Sequence, residues 1–106
     1  MIHLSVIEDI EQAIVSHRLC LFYIQSSDCT VCRIMHDRIA QVAECHSTLY
    51  SFYTDIAEEP LIASRFMVFS GPTVLLLLDG HETYRASQFI DLDELKHRIG
   101  QCIASL

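Results

Sequence analysis

Tryptophan is absent from this chain of 106 residues, and proline (two) and glycine (three) are scarce. So few breakers exclude a flexible linker, a low-complexity tract or a loop-built scaffold, and those present mark boundaries between regular elements. Basic residues are short as well: seven Lys and Arg stand against 14 Asp and Glu, a formal net charge of −7. Such a surface lacks the cationic patch that a phosphate backbone or an anionic lipid surface needs, so neither nucleic acid nor a membrane is expected as a partner. No uncharged apolar run reaches membrane-spanning length, the longest being Thr73 to Leu78. The amino terminus, MIHLSVIEDIEQ, has no basic residue ahead of a long apolar core and no small-residue cleavage site, as a targeting segment would. The five cysteines lack the even, framework-like spacing of a disulfide-stapled secreted domain. A reducing interior, the cytoplasm, is the expected location.

What is present is a 51% hydrophobic composition, enough for one core and hence a single domain over residues 1–106. After a short apolar stretch at Ile2 to Leu4, Ser5 and Glu8 have the spacing of a capping box, and the helical period follows to His17. Leu19 to Ile24 (LCLFYI) reads as a strand buried on both faces. A long helix is expected from about Cys29 to Cys45 or His46, with Ile34, Met35, Ile39, Val42 and Ala43 on its apolar stripe. Leu49 to Thr54 is a second strand, and Glu58 to Phe66 a short helix with Pro60 in its first turn. Thr73 to Leu78 (TVLLLL) is a third strand, Asp79-Gly80 a hairpin turn into Glu82 to Ser87, and Asp91 the start of a last helix ending near Ala104. The order β-α-β-α-β-α-β-β-α predicts an α/β fold, a central mixed sheet of four or five strands with helices on both faces.

Cys29 and Cys32 fall where the buried strand hands over to the long helix. A pair at this spacing can be a redox couple, half of a metal site, or two unrelated core thiols. Cys29, Cys32, His36, Cys45 and His46 all have zinc-ligand chemistry. One helix from Cys32 to Cys45 separates its ends by roughly 20 Å, however, too far for one ion. Only Cys29, Cys32 and His36 could then share a metal, with a further ligand from a second chain or a cluster bridging a dimer. Cys20 and Cys102 read as buried structural thiols. Cys45, before a polar loop, reads as the accessible one, and His36 as an ordinary helix residue.

CxxC after a buried strand, Ser70-Gly71-Pro72-Thr73 before an apolar strand, and the Asp79-Gly80 turn together resemble the thioredoxin family over nearly the whole chain. The resemblance implies the thioredoxin fold and a protein-disulfide reductase that needs no cofactor and no metal. Cys29, at the positive helix start, would be the nucleophile, and Cys32, one turn inward, the resolving thiol. Pro72 would be cis beside the sulfurs, and the Gly71 backbone would pair with an extended substrate segment. The implied partners are disulfide-containing protein substrates and an upstream reductase, with the chain itself a monomer. A redox-inactive adaptor or chaperone holding extended segments at the Pro72 groove is the alternative.

The chain also departs from the family. Asp28 replaces the tryptophan before the first cysteine, and a carboxylate there should raise the Cys29 pKa. Thr30 and Val31 replace Gly-Pro, which favours a reductant or mild exchanger. Tyr23 stands where the family buries an aspartate, with Ser51 at the position of its lysine partner. A water, the Tyr23 hydroxyl or a nearby side chain would then handle the Cys32 proton. Asp37 replaces a kink-forming proline, so a straighter helix is expected.

Overall fold

Side-chain alternation along one strand divides the core in two. In the computed structural model, which describes residues 1–106, the chain runs β1 (Ile2–His3), α1 (Ile7–Ser16), β2 (Leu19–Gln25), α2 (Thr30–Glu44), β3 (Tyr50–Asp55), α3 (Leu61–Phe66), β4 (Thr73–Leu78), β5 (His81–Ser87) and α4 (Leu92–Ala104). The five strands form one mixed sheet in the order β1-β3-β2-β4-β5. The first three run parallel; β4 joins β2 antiparallel and β5 completes the hairpin. Leu21 and Tyr23 of β2 pack with Ile39 and Val42 of α2 and with Leu95 and Ile99 of α4. Cys20, Phe22 and Ile24 point the other way, onto Ile7 and Ile10 of α1 and Ile62 of α3. Each large apolar side chain so buried contributes roughly 1.5–3 kcal/mol, so a strand covered on both faces has no polar alternation.

The local signals at the hairpin and the last helix act as their chemistry suggests. Asp79 (φ 50°) and Gly80 (φ 81°) form a turn with two positive φ values, matching the twist of the paired strands. Arg18 forks onto the Asp79 carboxylate at 2.8 and 3.1 Å, pinning this turn to the connection before β2. Asp91 caps α4 by accepting the Asp93 and Glu94 amides at 2.9 and 3.1 Å.

Elsewhere tertiary contacts displace the local expectation. Ser5 does not cap α1: the N-cap is Val6, and the Ile7 amide donates instead to Glu59 Oε2 at 3.0 Å, 52 residues away. Pro60 is the N-cap of α3, which begins at Leu61 rather than Glu58. Ile34, expected on the apolar stripe of α2, is 51% exposed. The other expected positions hold: Ile39, Val42 and Ala43 are buried, Met35 packs partly buried against the same core, and Cys32 continues this face to the start of the helix. The helix continues unbroken through Asp37.

Candidate active site

β2 ends at Gln25, and Ser26 to Cys29 turn the chain into α2. Asp28 takes a left-handed conformation, φ 56°, which aspartate tolerates better than most residues because its short side chain bonds locally. Cys29 follows in extended conformation as the N-cap of α2, and its Sγ accepts the Cys32 N–H at 3.2 Å. The two cysteines are joined as a disulfide with Cα atoms 5.2 Å apart. Cys29 is half-buried, whereas Cys32 is 1% exposed, so only the first sulfur can be approached from outside. The unpaired amides and positive pole of α2 meet at that sulfur, an arrangement that favours a thiolate. Asp28 stands outside the helix, whose first turn carries no acidic side chain.

A second segment closes against this turn. The Gly71–Pro72 peptide bond is cis and Pro72 is buried. The Gly71 N–H donates to Ser26 Oγ at 2.9 Å. A Cβ on Gly71 would lie 2.8 Å from Gln25 Cα and 2.8 Å from Ser26 N, so glycine is required by the close approach of two backbones. The Ser26 hydroxyl thus occupies the Gly71 N–H. The Gly71 carbonyl accepts no hydrogen bond within the chain. Gln88 steadies the loop, its amide donating to Pro72 O and its side chain to Ser70 Oγ, each at 2.9 Å. Phe69 and Phe89, 72% and 96% exposed, flank this Ser70–Gln88 link.

Beneath the disulfide, Tyr23 is fully buried and its hydroxyl donates to the Cys32 carbonyl at 2.7 Å. Burial pushes the phenol pKa up. The hydroxyl thus braces the first turn of α2 through a carbonyl. The residue opposite Tyr23 on β3 is Tyr53; Ser51 is paired with Leu21 instead. His36 fills the space between these strands and α2. Its ring meets Tyr53 edge-on at 4.5 Å and Tyr23 at 5.9 Å between centroids, and its Nδ1 lies 3.2 Å from Gln25 Oε1. Burial lowers the His36 pKa, with Asp37 acting against that shift and the terminal amine adding to it. The reading of His36 as an ordinary helix residue missed this packing, although its place one turn beyond Cys32 puts both on one helix face.

Ser26, Gln25 and Tyr53 were not legible as site residues, since each joins through contacts between separate elements. No three His, Cys, Asp or Glu side chains converge as a metal site would require. Cys20 and Cys102 are buried free thiols and Cys45 an exposed one at the far end of α2. Burial pushes the Cys20 thiol up to about 11, leaving it protonated and inert.

No protein-family model matches the chain. It is similar to the thioredoxin-like protein YdfQ of Bacillus subtilis, 28% identical over 90 residues that span 85% of this chain and 80% of that one. Among solved structures it superposes on thioredoxin of Fasciola hepatica with a TM-score of 0.85 at 22% identity, covering 95% of this chain and 98% of the other. A mutant thioredoxin from Halobacterium salinarum gives a TM-score of 0.84 at 20% identity, over 94% and 88% of the two chains.

Proposed function

We propose that this chain, which has the thioredoxin fold and resembles thioredoxins in sequence, is a thiol-disulfide oxidoreductase that reduces disulfides of protein substrates. The observation that carries the reading is the asymmetry of the pair: an approachable Cys29 sulfur at the N-cap of α2, bridged to a buried Cys32. In the dithiol form, Cys29 thiolate attacks one sulfur of a substrate disulfide. The substrate S–S bond breaks, one substrate thiolate leaves and a mixed disulfide forms at Cys29. Cys32 then attacks Cys29 Sγ, releasing the second substrate thiolate and leaving the Cys29–Cys32 disulfide. Two electrons from an upstream reductase restore the dithiol. Asp28 beside Cys29 opposes the charge of the thiolate, which suits a reductant more than a strong oxidant. The free Gly71 carbonyl and buried Pro72 support docking of an extended segment by its backbone. A monomer working in the cytoplasm is the setting we propose; no helix is long and apolar enough to cross a membrane.

Reduction of insulin disulfides with a competent electron donor tests this reading. The wild type should turn over; Cys29→Ser should be inactive, and Cys32→Ser should accumulate covalent adducts through Cys29 without turnover. The exposed Phe69 and Phe89 favour a second reading, in which the groove holds extended apolar segments without chemistry. Equal inertness of all three proteins, with an empty Cys32→Ser trap, would decide for that second reading.

A further inference from the structure

Resolution of a mixed disulfide requires Cys32 to lose its proton, yet its side chain is almost wholly removed from solvent at 1% exposure. A thiol in such surroundings ionises reluctantly unless an acceptor is close. The core offers no carboxylate for this: apart from tyrosine, its buried polar side chains are Thr54 and Thr73. Tyr23 is also unsuited, because its hydroxyl donates to the Cys32 carbonyl. His36 remains. It lies one turn along α2 from Cys32, a spacing that sets the two Cβ atoms about 5–6 Å apart. The ring is wedged against Tyr23 and Tyr53. Gln25 Oε1 can only accept, so His36 Nδ1 is the donor in their 3.2 Å contact and Nε2 keeps its lone pair.

We propose that His36 takes the proton of Cys32 as Cys32 attacks the mixed disulfide at Cys29. The inference rests on the oxidoreductase reading above. The Cys32 S–H bond breaks and its proton passes to His36 Nε2, directly or through one water. The Cys32–Cys29 bond forms, the bond from Cys29 to the substrate sulfur breaks, and the departing thiolate carries away the electron pair. His36 then returns its proton to solvent. Gln25 favours the accepting tautomer, and the two tyrosines hold the ring in place. The titratable groups facing His36 are Tyr23 on β2, Tyr53 on β3 with His3 stacked on it, Asp37 on its own helix and the terminal amine. Burial favours the neutral imidazole, the form that accepts a proton.

The test mixes reduced protein with one equivalent of a chromogenic aryl disulfide in stopped flow. Attack by Cys29 releases a first aryl thiolate, and resolution by Cys32 releases a second. His36→Ala and His36→Phe should leave the first release unchanged and slow the second on the order of tenfold or more at neutral pH. Added imidazole should restore the second release in His36→Ala but not in His36→Phe. In the wild type the second release should slow as acid protonates His36, a dependence missing from both variants. A wild-type second release in both variants overturns the proposal. So does slowing in His36→Ala alone, or slowing in both with no imidazole rescue and an unaltered pH profile, since each marks a packing role. If the wild type itself gives no second release, the oxidoreductase reading fails, and this proposal with it.

Discussion

Gly71 carries a constraint that a polar or charged residue could not reveal: its hydrogen atom faces backbone. A methyl group there would press on Gln25 Cα and Ser26 N at 2.8 Å, and neither can rotate away. Gly71→Ala is therefore expected to cost about 1–3 kcal/mol in denaturant unfolding, as overpacking does elsewhere. It should also weaken substrate reduction, because the loop would be displaced from the turn that carries Cys29. Unchanged stability would show that loop and strand end do not touch. In the sequence, Ser-Gly-Pro-Thr announces a turn, and nothing in it says which backbone lies against the glycine. His36 is similar. Its spacing places it under Cys32, but Gln25 and Tyr53 reach it from β2 and β3, and only the assembled sheet brings them there.

At the scale of elements, legibility follows the range of the interaction. TVLLLL is a strand at the predicted residues, and Asp79-Gly80 and Asp91 act where their own side chains and dihedrals decide the outcome. The Ser5-Glu8 capping box had the right spacing and lost to a carboxylate brought from before α3. The stripe of α2 holds at Met35, Ile39, Val42 and Ala43 and fails at Ile34 alone, because Cys32 rather than Ile34 turns inward at the start of the helix. α4 provides the quantitative test. Gly100, against the expectation that each glycine marks a boundary, lies within this helix, exposed, with no atom within 4 Å of where a Cβ would be. Gly100→Ala should raise stability by about 0.5–1 kcal/mol through helix propensity alone, leaving reduction unaffected. A neutral or lower unfolding midpoint would mean that the position is crowded or the helix frays there.

For the whole molecule, β2 is shared by both halves of the core, and ionisation within it weakens both. Cys20 titrates ordinarily at 9.0 but at about 11 in the fold. Above pH 9 the unfolded chain loses this proton while the folded chain keeps it, so stability falls as pH rises through that window and is fully present below it. Unfolding free energies measured from pH 8 to 11 should decline more steeply in the wild type than in Cys20→Ala, by up to about 1.4 kcal/mol per pH unit. Parallel slopes would show that Cys20 is hydrated. The bond from Ser26 to Gly71 joins residues 45 positions apart, which bears on biosynthesis. A chain growing at about 5–20 residues per second contains Cys29 and Cys32 for some seconds before Gly71 is made. During that interval Cys32 has neither its burial nor the loop that closes on its turn, so the two thiols become unequal in exposure only once the second half of the chain follows.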